Sequence, residues 1–207
     1  MKTLFIPAKS KSVVNKEKIL EISKKLPKNI AITYSIQFQE VASEIKQILN
    51  KTHKVTKLTQ VLGCSNPEFP KQTQAVLLVG QARFHATGLA ISTNLPIYIL
   101  EQNKLSKISE SDIKQFKQKQ KVSQMKFLHS DNVGILVSTK PGQQNLKRAL
   151  ELQNSDKLKN KKPYLYIANN ISTQEFENFP QIQSWINTAC PRMDMADNSI
   201  INIKDLE

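Results

Sequence analysis

The sequence predicts an α/β protein of two related modules, each a mostly parallel sheet flanked by helices. Three observations carry that prediction. Ala75-Val76-Leu77-Leu78-Val79 is an unbroken apolar run closed by Gly80, the pattern of a strand buried on both faces of a parallel sheet. Short apolar runs alternate with amphipathic stretches along the chain, which favours parallel strands joined by crossover helices. The chain also echoes itself. Asn29–Ser35 leads into a helical stretch, and Asn132–Ser138 leads into another, an offset of 132 − 29 = 103 residues. Each copy is a strand, a hydroxyl-bearing turn and an amphipathic helix, and about a hundred residues is a usual domain size.

Taken in order, Thr3–Ile6 reads as a strand. Asn15–Lys25 reads as a helix, with Ile19, Leu20 and Ile22 apolar and Leu26-Pro27 ending it. Ile30–Tyr34 is a strand, and Gln39–Asn50 a helix with Val41, Ala42, Ile45, Ile48 and Leu49 on one face. His53–Leu58 is a strand candidate. After the buried run at 75–79, Gln81–Asn94 forms a loop and helix, and Pro96–Leu100 another strand. The lysine-rich stretch 101–131 holds one helix, Ser109–Leu128, with Ile113, Phe116, Val122, Met125 and Leu128 as its apolar positions. Val133–Val137 is a buried strand and Gln143–Leu152 a helix. Tyr164–Ala168, Trp185–Thr188 and Ile200–Ile203 complete the strands.

Composition narrows the class. At 207 residues and 39% hydrophobic content the chain can bury a real core. Two cysteines cannot build a secreted disulfide framework, and the apolar run at the start is too short for a signal peptide or a membrane span. A soluble, cytoplasmic protein of a reducing compartment is expected, with no membrane association. The net charge of +13 invites a nucleic-acid reading. Yet 27 of the 30 basic residues are lysine, leaving Arg83, Arg148 and Arg192, and aromatics are only 6%. Bidentate phosphate and base readers are usually arginine, and base stacking needs aromatics. A solvated lysine-rich surface is the favoured reading and no direct nucleic-acid binding is expected, while attraction to an acidic or ribosome-associated partner stays open.

Three motifs can carry chemistry. Gly80-Gln81-Ala82-Arg83-Phe84-His85-Ala86-Thr87-Gly88 follows the buried strand. A glycine at a strand end and a helix start suit an anionic group, although His85 alone is also an ordinary packing histidine. Ser138-Thr139-Lys140-Pro141-Gly142-Gln143 combines hydroxyls, a glycine turn and a helix start. It can cradle a carboxylate or phosphate through backbone N–H groups, or be a plain strand–helix turn. The third is the pair Cys64 and Cys190, 126 residues apart. Pro191 has no N–H and stops the strand Trp185–Thr188, so Cys190 falls at the carboxyl edge of a sheet, where ligands bind in open α/β folds. Neither cysteine lies in a CxxC or beside a histidine, which disfavours zinc. A strand-end thiol that is only a small buried hydrophobe is the alternative.

Four stretches together resemble a known family. They are Gln60-Val61-Leu62-Gly63-Cys64; Val79-Gly80 with Phe84-His85 and Gly88-Leu89-Ala90; Gly134-Ile135-Leu136-Val137-Ser138-Thr139-Lys140 with Gly142-Gln143; and Asn187-Thr188-Ala189-Cys190-Pro191-Arg192. In this order they are similar to the archaeal diphthamide synthases, the 2-(3-amino-3-carboxypropyl)histidine synthases. That resemblance implies three α/β domains, each giving one cysteine to a 4Fe–4S cluster. It implies S-adenosylmethionine bound at the open iron and a radical-type transfer of its aminocarboxypropyl group to a histidine of translation elongation factor 2. Cys64 and Cys190 then correspond to the second and third cluster ligands. Residues 1–105 correspond to the middle domain and 106–207 to the last, and the first domain, with its cysteine, has no counterpart.

The resemblance also implies a cofactor-binding set of Ser138, Thr139, Gly142, Gln143, Arg192 and His85, with Arg192 alternatively bridged to Asp194 or Asp197. No residue beyond these is assigned to catalysis. A split enzyme is expected, its third thiolate coming from a chain that supplies the missing N-terminal domain, or from a second copy in a homodimer. A non-catalytic partner subunit and a basic RNA- or ribosome-binding protein are the alternatives. Two cysteines on one cluster should lie within roughly 6–7 Å of each other. An exposed apolar surface is expected near Cys64 and Thr3–Ile6, where the first domain would dock.

Overall fold

A computed structural model of the chain describes residues 4, 6, 8–62, 65–81, 83–191, 193 and 197–206, with the side chain of residue 84 excepted. The chain divides into two compact units, Met1–Ile113 and Lys114–Glu207. The first contains α1 (Lys16–Ser23), β1 (Asn29–Tyr34), α2 (Gln39–Leu49), β2 (Lys54–Gln60), β3 (Ala75–Val79), α3 (Arg83–Thr93), β4 (Ile97–Glu101) and β5 (Lys104–Lys107). Its sheet runs β2-β1-β3-β4-β5, parallel except for β5 against β4. The division falls inside α4 (Glu110–His129). The second unit continues with β6 (Asn132–Ser138), α5 (Leu146–Gln153), β7 (Lys162–Ala168), β8 (Ser184–Asn187) and β9 (Ile200–Asn202). Its sheet runs β7-β6-β8-β9, all parallel.

The parallel strands share one order in both sheets. β1 corresponds to β6, β2 to β7, β3 to β8 and β4 to β9, so the sequence echo is also an echo of topology. The apolar run 75–79 is continuous because both of its faces are covered. Leu77 and Val79 pack with Ile30, Ile32 and the α1 and α2 side chains Ile19 and Ile45, while Val76 and Leu78 pack with Ala31 and the α3 side chains Ala86 and Leu89. In the second unit Val133, Ile135 and Val137 pack with Ala149 and Leu152 of α5 and Phe127 of α4. On the other face Trp185 of β8 stacks on Phe176 at 4.3 Å between ring centroids and meets Tyr166 edge-on at 4.8 Å. Gly134 of β6 pairs with Trp185. A Cβ there would overlap Cε3 and Cζ3 of the indole, so the ring lies directly over the glycine.

Several expectations are corrected. β5 lies in the stretch 101–131, where the sequence predicts only a helix: Lys104-Leu105-Ser106-Lys107 pairs antiparallel with β4, with only Leu105 turned inward. The apolar stripe of α4 is out of phase with its buried face. Val122, Met125 and Leu128 are 44%, 54% and 59% exposed, whereas Ser123 and Phe127 are buried. Phe127 is held inward by Lys161, whose Nζ lies 4.8 Å from the ring centroid and donates to the Ser130 carbonyl at 2.7 Å. α5 starts at Leu146 rather than Gln143. β7 begins at Lys162 and includes Pro163, which an edge strand tolerates. Of the expected first strand, Leu4 and Ile6 are exposed and in no ladder, and Thr3 and Phe5 lie outside the described residues.

Candidate functional site

In a parallel sheet the crevice lies where the strand order reverses, because the connections leave the two neighbouring strands in opposite directions. In the second unit that point is between β6 and β8. Two loops flank it, Ser138–Gln143 after β6 and Thr188–Pro191 after β8. The second is tied to the residues on either side of the first. Thr188 donates from both its N–H (3.2 Å) and its Oγ1 (2.7 Å) to the Leu136 carbonyl. Asn145 donates from Nδ2 to the Thr188 carbonyl at 2.7 Å, which takes its side chain away from capping α5.

Cys190 lies in the second loop, half-buried and with a free thiol. Its backbone is held by a pair of buried asparagines at the matched last positions of β8 and β9. Asn187 donates from Nδ2 to the Cys190 carbonyl and to Asn202 Oδ1, both at 2.7 Å, and its Oδ1 accepts the Ala189 N–H at 2.9 Å. Asn202 donates from Nδ2 to the Pro191 carbonyl at 3.0 Å. The Asp205 side chain also engages Asn202, and burial holds its carboxyl above the ordinary range, against the opposing pull of Lys204 and of that hydrogen bond. Asn187 and Asn202 carry no role in the sequence reading. The signal available was that two apolar runs, Trp185-Ile186 and Ile200-Ile201, each end in asparagine.

The Ser138–Gln143 turn spends much of its backbone internally. Thr139 N–H donates to the Ala168 carbonyl, Lys140 N–H to Ser138 Oγ and Gln143 N–H to the Lys140 carbonyl. Pro141 has no N–H, so Gly142 keeps the turn's remaining donor. Gly142 has φ +78°, a conformation that favours glycine. Gln143 stands before the helix, half-buried, in the loop itself.

The first unit is built differently at the matching place. Gly80, at φ +143°, lets Phe38 approach so closely that an added Cβ would lie 3.2 Å from its ring and 3.3 Å from Ser35 Oγ. Phe38 therefore packs against the end of β3, where β8 is followed by the polar Thr188. His85 is half-buried in α3 beside the core residue Ala86. Cys64 lies outside the described residues, beyond the edge strand β2. The residues bracketing it are joined reciprocally: Leu62 N–H donates to Ser65 Oγ at 2.7 Å and Ser65 N–H to the Leu62 carbonyl at 3.0 Å. β2 corresponds to β7 and not to β8, so the two cysteines follow non-equivalent strands.

The structure thus brings Ser138, Thr139, Gly142 and Gln143 to the crevice edge that carries Cys190. His85 belongs to the other unit, and Arg192 and Asp194 lie outside the described residues. Among the described residues no three His, Cys, Asp or Glu side chains group together, and no helix is long and apolar enough to cross a membrane. A cavity of about 390 Å³ between α4 and β9, lined by Lys117, Lys121, Ile200, Ile201 and Asp205 among others, contains none of the crevice residues.

A parallel α/β unit with a free thiol and a polar turn at its switch point is of the kind that holds a ligand or cofactor at its sheet edge. Comparison with known proteins makes the assignment specific. The chain belongs to the diphthamide synthesis protein family, whose model matches residues 1–200. It is 28% identical over 208 residues to a 2-(3-amino-3-carboxypropyl)histidine synthase of Pyrococcus horikoshii, covering 94% of this chain and 60% of that protein. It is 24% identical over 179 residues to subunit 1 of the mouse enzyme of that name, covering 81% and 40%. The crystal structure of Dph2 from Pyrococcus horikoshii with a 4Fe–4S cluster shares the fold, with a TM-score of 0.76 at 24% identity over 93% of this chain and 59% of that one. The chain therefore spans about three fifths of the archaeal protein it matches.

Proposed function

We propose that these 207 residues form the part of a diphthamide synthase that carries two of the three thiolate ligands of a 4Fe–4S cluster, Cys64 and Cys190. In this reading residues 1–105 and 106–207 correspond to the family's middle and last domains. They work with a polypeptide supplying the portion of the family enzyme that they do not span, or with a second copy. The supporting observation is the Cys190 loop: a free, half-buried thiol at the switch point of a parallel sheet, on a backbone anchored at several points. Thiolate donors suit iron–sulfur clusters on softness grounds, which fits both cysteines to that group. When bound, the cluster supplies the electron that cleaves S-adenosylmethionine between sulfur and its aminocarboxypropyl group, which is then transferred to a histidine of elongation factor 2 in the cytoplasm.

The chain's own contribution is to bind and orient. The Gly142 N–H and the Gln143 amide would bind the carboxylate or ribose of the cofactor, with Ser138 and Thr139 shaping the turn. Arg192 is a further candidate for the carboxylate, and His85 a further cofactor contact from the first unit. Replacing Gln143 with alanine is expected to weaken S-adenosylmethionine binding by about 1.5 kcal/mol, roughly tenfold in Kd, with iron content unchanged. Equilibrium binding beside an iron assay checks this; loss of iron at unchanged affinity would reverse the assigned roles.

Anaerobic reconstitution with iron and sulfide tests the whole reading. Alone, the chain should hold a labile, substoichiometric cluster and cleave little cofactor. Mixed with the missing portion, it should gain a stable cluster and modify elongation factor 2. Mixing Cys64→Ala and Cys190→Ala chains tests the second-copy route, where activity returns only if cysteines are shared. Failure to retain iron with or without the added portion would sink the proposal, and full activity of the chain as a monomer would sink the need for a partner.

A further inference from the structure

We infer that Asn187 and Asn202 are positioning residues that set the Cys190 thiol for metal ligation. The inference rests on the reading of Cys190 as a cluster ligand and goes beyond it by naming what holds that ligand. The two side chains sit opposite each other at the ends of β8 and β9, each only 2% exposed. Burying two primary amides is costly unless they are hydrogen-bonded, and these bonds go to one place. Asn187 binds the Ala189 N–H and the Cys190 carbonyl, and Asn202 binds the Pro191 carbonyl. The amides also bind each other at 2.7 Å.

With Thr188 fixed to Leu136 from its other side, the loop is anchored at every residue from 188 to 191. What remains unanchored is the Cys190 side chain. Two buried side chains grip the two successive carbonyls of Cys190 and Pro191. Groups that hold a ligand residue from behind typically change metal affinity by about 10- to 100-fold when removed.

The test uses the 207-residue chain carrying Cys64→Ala, so that Cys190 is the only thiol. Its rate of reaction with a disulfide reagent is compared with that of chains also carrying Asn187→Ala, Asn187→Asp or Asn202→Ala. Asn187→Asp is nearly isosteric and keeps the acceptor for Ala189, but it loses both donors, so it reports on the grip even where the alanine variant folds poorly. Ile135→Val serves as a core control that touches no part of the loop. The asparagine variants are expected to change the thiol rate several-fold at unchanged far-UV circular dichroism, and the control not at all. In the Cys64-containing chain mixed with the missing portion, the same variants should retain about tenfold less iron, with a shifted thiolate-to-iron absorption in what remains.

An unchanged thiol rate in Asn187→Asp, or a change matched by Ile135→Val, would overturn the positioning role. Absence of iron from the unmutated protein would instead count against Cys190 as a ligand. The thiol-rate comparison needs no cluster, so the two failures are told apart.

Discussion

If Cys190 is a cluster ligand as proposed, replacing it with serine is expected to reduce the iron retained after anaerobic reconstitution and desalting by at least about tenfold. A serine oxygen is a hard, weakly acidic donor, and iron in a sulfide cluster selects soft thiolates. The substitution changes one atom in a half-buried side chain, so the cost to folding should stay below about 1 kcal/mol. A thermal melt unchanged beside a lost iron signal is the expected pair of results. Iron retention equal to that of the unmutated protein would show that the thiol is only a small packing group.

Gly134→Ala should be the most damaging single methyl group in the second unit. β6 is paired on both sides, with β7 and β8, so its backbone cannot withdraw. The Trp185 ring that the methyl would strike is itself enclosed by Tyr166, Phe176 and Phe179. Overpacking of this kind costs about 3 kcal/mol, a fall in Tm on the order of 15 °C for a unit of this size. Trp185 is the only tryptophan in the chain, so its fluorescence reports the melt directly. Gly134→Ala combined with Trp185→Leu should recover part of the loss; equal melts for Gly134→Ala and the unmutated protein would contradict the close approach.

The parallel core was legible because side chains cover both faces of β1, β3 and β6, which forces apolar runs at Ile30–Ile32, Ala75–Val79 and Val133–Val137. β5 was not, because an antiparallel edge strand buries little: Lys104, Ser106 and Lys107 are exposed. The α4 stripe misled for a related reason. Its inward face includes Ser123, and its apolar positions Val122, Met125 and Leu128 remain largely in solvent.

At the site, Cys190 was legible from Pro191, which ends the strand. The role of Asn187 and Asn202 was not, since Asn202 reaches Asn187 and the Pro191 carbonyl only once β8 and β9 lie side by side, and the two asparagines are fifteen residues apart. The start of α5 shifted because Asn145, a natural cap, is drawn to the Thr188 carbonyl.

The asparagine pair also imposes an order in time. Cys190 is synthesised twelve residues before Asn202, the residue that closes its loop. Until β9 docks beside β8, the nascent chain carries a cysteine loop without its Asn202 anchor, next to an unpaired strand edge. If Cys190 ligates a cluster as proposed, the cluster would be loaded only after that stretch of polypeptide has been made and folded, and oxidation of the thiol would compete during this interval. Slowing translation between codons 190 and 202 would lengthen the vulnerable period, and a protein lacking residues from Asn202 onward would stay in it permanently.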